Sequence, residues 1–394
     1  MKGPQQAGWT SRRGFLKTVA AAGAGLALAA YGIQMMSRER SGTPSNTSTP
    51  GQGNETKVPS REAMYYEPLR GQAVRCNLCP NRCSIAPGTR GICEVRENRQ
   101  GKLYTLVYGD PCTYHVDPIE KKPLYHFLPA TTAFSIATAG CNLECLYCQN
   151  WEISQARPEE LQFYNMPPEG VVGLAKKYSC RSIAYTYSEP TIFYEYMYDT
   201  SKLAKAQGIR NLDITAGFIE EDPLIELCKV IDAANVDLKG FTEKFYHDVC
   251  SGELQPVLDT LVTMKERGVW VEITNLVVPT LNDDIDVISR MCDWIVDNLG
   301  TDFPLHFNRF SPRYKLRHLP YTPTQILEKA RETAMEKGIK YVYVGNVYGH
   351  PAANTYCHSC GELLIQRVGF SVLKSDVVSG RCKYCGARIP GVWS

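Results

Sequence analysis

From Phe134 onward, short runs of β-branched and aromatic residues alternate with helix-length segments whose apolar positions recur on one face. Continuous apolar runs suit strands buried on both faces, and the intervening amphipathic stretches suit helices that cover them, so the pattern predicts an α/β fold with a parallel sheet. The predicted strands are 134–138, 182–187, 211–215, 235–238, 269–278, 305–310 and 341–344. The predicted helices are 168–178, 190–207, 223–233, 256–267, 283–299 and 324–337. Six or seven such βα units fit a partial or complete TIM-like (β/α) barrel, in which chemistry gathers at the C-terminal ends of the strands.

The pattern changes at both ends of the chain. Ser11-Arg12-Arg13-Gly14-Phe15-Leu16-Lys17 precedes an apolar, Ala- and Gly-rich run, which reads as a twin-arginine export signal over residues 1–36. Left uncleaved, that run approaches the roughly 20 residues that span a bilayer and would serve as an anchor. This predicts an exported, extracytoplasmic or membrane-anchored protein, with cytoplasmic activity if the signal is unused. Residues 37–60 are dense in Ser, Thr, Gly, Pro and Asn and predict a flexible linker. A Cys-rich segment then occupies 61–125, the barrel 126–350, and a ribbon-like module 351–394.

Charge adds little, but cysteine adds much. The 43 basic and 41 acidic side chains leave a net charge of +2, so no electrostatic footprint for nucleic acid is expected. Most of the 16 cysteines fall in tight groups, the pattern of thiolates converging on a metal or cluster rather than of disulfides closing many loops. Cys180, Cys228, Cys250 and Cys292 stand singly in apolar segments and read as small buried hydrophobes. Cys112 is left without a role.

The most informative group follows the first predicted strand: Cys141-Asn142-Leu143-Glu144-Cys145-Leu146-Tyr147-Cys148. Three thiolates suit iron, and three ligands on a four-iron cluster leave one iron open. Structural zinc would need a fourth ligand, for which upstream His115 or His126 would have to serve. A CxxxCxxC loop with an aromatic before its third cysteine, placed after the first strand, resembles the hallmark of the radical S-adenosylmethionine (radical SAM) superfamily. That resemblance implies a [4Fe-4S] cluster on Cys141, Cys145 and Cys148, an electron donor, and reductive cleavage of S-adenosylmethionine to a 5′-deoxyadenosyl radical.

Further positions resemble the pyruvate formate-lyase activating enzymes in particular. Tyr187-Ser188-Glu189-Pro190 stands where that family has Gly-Gly-Glu-Pro, with Ser188 in place of a glycine. Thr215-Ala216-Gly217-Phe218 resembles its Thr-Asn-Gly-Phe, and Asp237-Leu238-Lys239 its Asp-x-Lys. Thr274 replaces a customary Arg, and His306 stands where the activases carry a cofactor-contacting His. The resemblance therefore implies cofactor contacts from Tyr147, Ser188, Glu189, Thr215, Asp237, Lys239 and His306. Segments 115–127 and 149–155, together with the upstream group of Cys76, Cys79, Cys83 and Cys93, resemble the radical SAM member of the AmmeMemoRadiSam gene trio, which names no substrate. The acceptor is left as a protein or a small molecule.

Two flanking modules complete the cysteine inventory. Cys76, Cys79, Cys83 and Cys93 make a four-ligand shell for zinc or an iron–sulfur centre, with disulfides as the alternative outside the cytoplasm. Cys357, Cys360, Cys382 and Cys385 form two CxxC knuckles, a zinc-ribbon pattern with rubredoxin-like iron as runner-up. Two other functional classes fit parts of the chain: an exported multi-centre electron-transfer protein, and a metal-stabilised binding scaffold. The ring of strand-end polar residues sets the enzyme reading apart from both.

Overall fold

The computed structural model describes residues 60–394. The predicted signal and all of the predicted linker except Ser60 lie outside the described residues. Among those described, no helix is long and apolar enough to cross a membrane.

Eight strands hydrogen-bond side by side in chain order: β1 (Thr113–Pro118), β2 (Thr132–Ala137), β3 (Ser182–Tyr185), β4 (Arg210–Thr215), β5 (Ala233–Asp237), β6 (Trp270–Val277), β7 (Leu305–Arg309) and β8 (Val342–Gly345). β2 to β8 are parallel, while β1 pairs antiparallel with β2 in the register Thr113↔Ala137 to Pro118↔Thr132. β1 and β8 do not pair, so the sheet takes the partial rather than the complete form of the expected barrel.

The crossovers carry α1 (Pro168–Lys177), α2 (Tyr194–Ala206), α3 (Glu221–Leu227), α4 (Gln255–Glu266), α5 (Ile285–Asn298) and α6 (Thr324–Glu336). α5 shows why these segments are helical. Ile288, Met291, Cys292 and Ile295 recur at three- and four-residue spacing, and all are buried. Each large apolar side chain so buried contributes about 1.5–3 kcal/mol. The Asp284 carboxylate caps the first turn by accepting from the Asp286 N–H at 2.8 Å.

Two predicted helices end differently. The 190–207 segment begins with a 3₁₀ turn, Pro190–Phe193, before α2. The 223–233 segment stops at Leu227 because the following residues serve the sheet: Asp232 accepts from the Asn211 N–H at 2.8 Å, and Ala233 opens β5.

The base of the sheet is filled from within the chain. After β1, the segment through Leu128 turns under the strands, where Leu124 and Phe127 pack on Ala133, Ala184, Leu212 and Ala233. The small alanines at 133, 184 and 233 leave room for the plug. Residues from 351 onward pack against β8 and this plug through Leu364, Ile365 and Ile389, which contact Tyr125, Tyr341 and Tyr343. Buried Arg367 lies 4.2 Å above the Tyr125 ring and donates to the Tyr125 carbonyl at 2.9 Å.

At the opposite end, two three-stranded antiparallel sheets built from 61–105 dock beside the loop that follows β2. Buried Arg96 pairs with buried Glu195 of α2, and Arg82 pairs with Glu220 at 2.6 Å.

Candidate metal centre and cofactor cavity

The loop after β2 is held in shape by its neighbours rather than by regular structure. Asn142 donates to the Phe218 carbonyl at 2.7 Å and its own carbonyl accepts from Asn81 at 2.8 Å. Glu144 and Leu146 N–H groups donate to the carbonyls of Cys250 and Val249. Gly140 opens the loop with φ +92°, and a Cβ there would sit 2.5 Å from the Cys93 carbonyl oxygen, so glycine is required. The loop thereby presents its three thiols along one wall of a cavity at the C-terminal ends of the strands.

That cavity encloses about 250 Å³. Cys141, Cys145, Tyr147, Cys148, Ser188, Glu189, Thr215, Asp237 and Lys239 all line it. Successive strand ends thus deliver their polar residues to one place, as the parallel topology requires. Burial pushes the thiols of Cys141 and Cys148 up, as does the Cys250 contact at Cys145, and a bound metal would displace their protons.

The individual roles differ from one another. The Glu189 carboxylate accepts from Thr191 N–H (3.1 Å), Thr191 Oγ1 (2.8 Å), Thr215 Oγ1 (2.6 Å) and Ala216 N–H (2.8 Å). Three of these donors meet Oε1 and one meets Oε2, so Glu189 ties the end of β3 to the end of β4 while Oε2 keeps room for a further donor. Ser188 Oγ donates to the Thr138 carbonyl at 2.8 Å.

Lys239 Nζ lies 3.1 Å from Asp237 Oδ2. Burial alone would pull the Lys239 ammonium down, but the Asp237 carboxylate outweighs it and holds the pKa above its ordinary value. The Tyr147 hydroxyl meets Cys250 Sγ at 3.6 Å, which places Cys250, read from sequence as an inert hydrophobe, directly behind the cysteine loop.

His306 is not brought to the cavity wall. Its ring turns toward the base, where Nε2 donates to Glu272 at 2.8 Å. Glu272 also accepts from the backbone N–H groups of Tyr125 and His126 at 2.9 and 2.7 Å. Burial pushes the Glu272 carboxyl up, yet the hydrogen bond and charge of His306 outweigh it, so the pKa falls below the ordinary value.

Asn308, two residues further along the same face of β7, lines the cavity instead. The sequence reading stopped one pleat short; a second polar residue at that spacing was the available signal. Buried Thr274 also lines the cavity, and its hydroxyl has no hydrogen-bond partner. Asn346, just past β8, was missed because nothing in its loop marks it.

Neither upstream histidine completes a metal shell with the triad. His126 lies in the base, with Nδ1 on the Pro390 carbonyl and Nε2 on Tyr343, and His115 stands in β1 beside Thr113. Among the described residues, one group of cysteines has sulfurs all within 4.8 Å of one another: Cys357, Cys360, Cys382 and Cys385. Their Sγ pairs at 3.6 and 3.8 Å match the ~3.8 Å edge of a tetrahedron with metal–sulfur bonds near 2.3 Å, so this quartet could hold one metal ion. The 141/145/148 thiols are not so contracted, which suits a multi-iron cluster better than one ion.

Residues 135–292 match the model of the radical SAM superfamily. An uncharacterized protein of Methanocaldococcus jannaschii is 50% identical over 331 residues, covering 84% of this chain and 98% of that relative. A pyruvate formate-lyase-activating enzyme of Clostridium pasteurianum is 26% identical over 215 residues, covering 51% of this chain and 87% of that enzyme. A pyruvate formate-lyase 1-activating enzyme of Escherichia coli is 26% identical over 164 residues, covering 40% of this chain and 66% of the enzyme.

Proposed function

The chain belongs to the radical SAM superfamily, and from that premise we propose that it is an activase-like oxidoreductase that abstracts hydrogen from a protein or small-molecule substrate. The observation that carries this reading is the juxtaposition in one cavity of three thiols from a single loop with the strand-end groups of Ser188, Thr215, Asp237 and Lys239. With a [4Fe-4S] cluster bound, its electron would cleave S-adenosylmethionine to methionine and a 5′-deoxyadenosyl radical.

The protein's own residues supply the setting. Cys141, Cys145 and Cys148 would hold a four-iron cluster through three of its irons, and S-adenosylmethionine would bind beside it. Lys239, kept cationic by Asp237, offers its charge to a carboxylate, and the unpartnered Thr274 hydroxyl offers a further hydrogen bond in place of the customary Arg. Glu189 positions the strand ends through Thr215 and Ala216, and its Oε2, which meets a single donor, offers an acceptor to the cofactor. The activase-like assignment rests on the 26% identical relatives. The C-terminal quartet is read as a structural zinc site, and the twin-arginine motif as export of the folded enzyme.

The test is anaerobic. Cluster-loaded protein, reduced with dithionite and given S-adenosylmethionine, should release 5′-deoxyadenosine and methionine, and the C141A/C145A/C148A variant should release neither. A fully loaded protein that fails to bind S-adenosylmethionine would overturn the proposal.

A further inference from the structure

We propose that Cys76, Cys79, Cys83 and Cys93 hold a second iron–sulfur cluster that passes single electrons to the catalytic loop. Three observations carry it. The four cysteines, drawn from 76–83 and the turn at 91–93, line one small cavity with apolar walls. Four thiolates close the shell of a cluster, which fits electron relay rather than substrate chemistry.

Their sulfurs, unlike those of the C-terminal quartet, do not contract to single-ion spacing, although both quartets are built of the same residue type in the same chain. Sulfurs spread wider than the shell of a single ion are what a multi-iron cluster needs.

Arg96 supplies the third observation. Its side chain is 2% exposed and borders the same cavity; Nη1 donates to Cys76 Sγ at 3.3 Å, and Nε has no partner. An unspent buried N–H needs an acceptor. Sulfide or thiolate sulfur of an anionic cluster provides one, and N–H···S bonds are a means by which proteins set cluster potential.

The relay role follows from where this cavity lies. The Cys93 carbonyl packs against Gly140, closely enough to forbid a Cβ there, and Asn142 of the catalytic loop borders the cavity itself. Cys93 and Cys141 also share the wall of a neighbouring recess. One electron would move at a time: a low-potential one-electron donor protein is oxidised, the upstream cluster is reduced, and that cluster is reoxidised as the catalytic one is reduced. This relay rests on the proposed function; occupancy of the site does not.

The experiment uses the whole chain, reconstituted anaerobically, with iron, sulfide and zinc counted per chain. The C141S/C145S/C148S variant should retain about four irons and show an S = 1/2 EPR signal on dithionite reduction; the C79S/C83S variant should keep about four irons of its own. In the doubly reduced wild type, spin–spin coupling should broaden or split the spectrum relative to the sum of the two variants. An iron-free C141S/C145S/C148S protein carrying two zinc ions would overturn the cluster, and the unmodified chain holding no more than about four irons would do so without reliance on any variant's folding. An uncoupled spectrum would overturn the relay. Failure of the proposed function would show separately, as a catalytic-cluster spectrum that S-adenosylmethionine leaves unchanged.

Discussion

The two ends of the sheet are built from the same strands and treat polar groups in opposite ways. At the base, buried Glu272 is met by His306 and by two backbone N–H groups, and His126 is held by Pro390 and Tyr343. At the mouth, Thr274 keeps a buried hydroxyl with no partner, and three thiols face a cavity. Polar groups spent on one another rigidify a structure, whereas polar groups left unspent in a cavity are available to a ligand. The base is therefore expected to govern stability and the mouth to govern chemistry.

The largest expected separation comes from the thiols. Replacing Cys141, Cys145 and Cys148 with Ala should reduce release of 5′-deoxyadenosine to background, a loss of at least ~10³-fold, since no ligand for the catalytic iron remains. The thermal midpoint, followed by circular dichroism without cluster loaded, should move little, because the loop is held by backbone and asparagine contacts that survive. A collapse of the fold in this variant would break the division between the two ends.

At the base the outcome should invert. Glu272→Ala strands His306 and two buried N–H groups, and each buried donor left without its acceptor costs about 1–3 kcal/mol. Denaturant unfolding should show that loss. Binding of S-adenosylmethionine to the fraction still folded should persist, because neither Glu272 nor His306 lines the cavity. Loss of binding with stability intact would return His306 to the cofactor site.

Much of this contrast was legible in sequence at the mouth and little at the base. The seven parallel strands follow from runs of buried apolar residues, and their ends from the Gly, Pro and polar residues that interrupt them. The base was hidden because its partners are far apart in the chain: Glu272 is 146 residues from His126, and Arg367 is 242 from Tyr125. The segment 115–127, with Asp117, Glu120, Lys121 and Lys122, carries the charge pattern of a solvated loop. Yet it forms an edge strand and then the plug, with Lys122 buried against Asp117 at 2.6 Å. Pairing of that kind cancels the charge pattern on which a surface reading depends.

The base should also respond to pH. Burial lowers the His126 pKa to about 4 from an ordinary 6.5, so the folded protein favours the neutral ring. A depressed folded value means that this contribution is complete above about pH 6.5 and is lost as pH falls toward 4, amounting to about 3 kcal/mol if no other group compensates. Urea midpoints measured between pH 7 and pH 4 should fall more steeply in the wild type than in His126→Gln. Identical slopes would mean that the base does not hold His126 neutral.

The smallest effect sharpens the mouth itself. Lys239 is the cation that the cavity offers to a carboxylate, but it is shared with Asp237, whose side chain is 46% exposed. A shared and partly solvated charge is worth far less than an isolated buried one, so Lys239→Ala should weaken S-adenosylmethionine binding only about tenfold, near 1.4 kcal/mol. Anaerobic equilibrium dialysis against cluster-loaded protein would read this directly. Asp237→Asn frees the ammonium from its partner and should move affinity in the opposite direction, provided that the lysine stays charged. If both variants bind as the wild type does, the pair braces the rim, and the unpartnered Thr274 hydroxyl becomes the group to remove next.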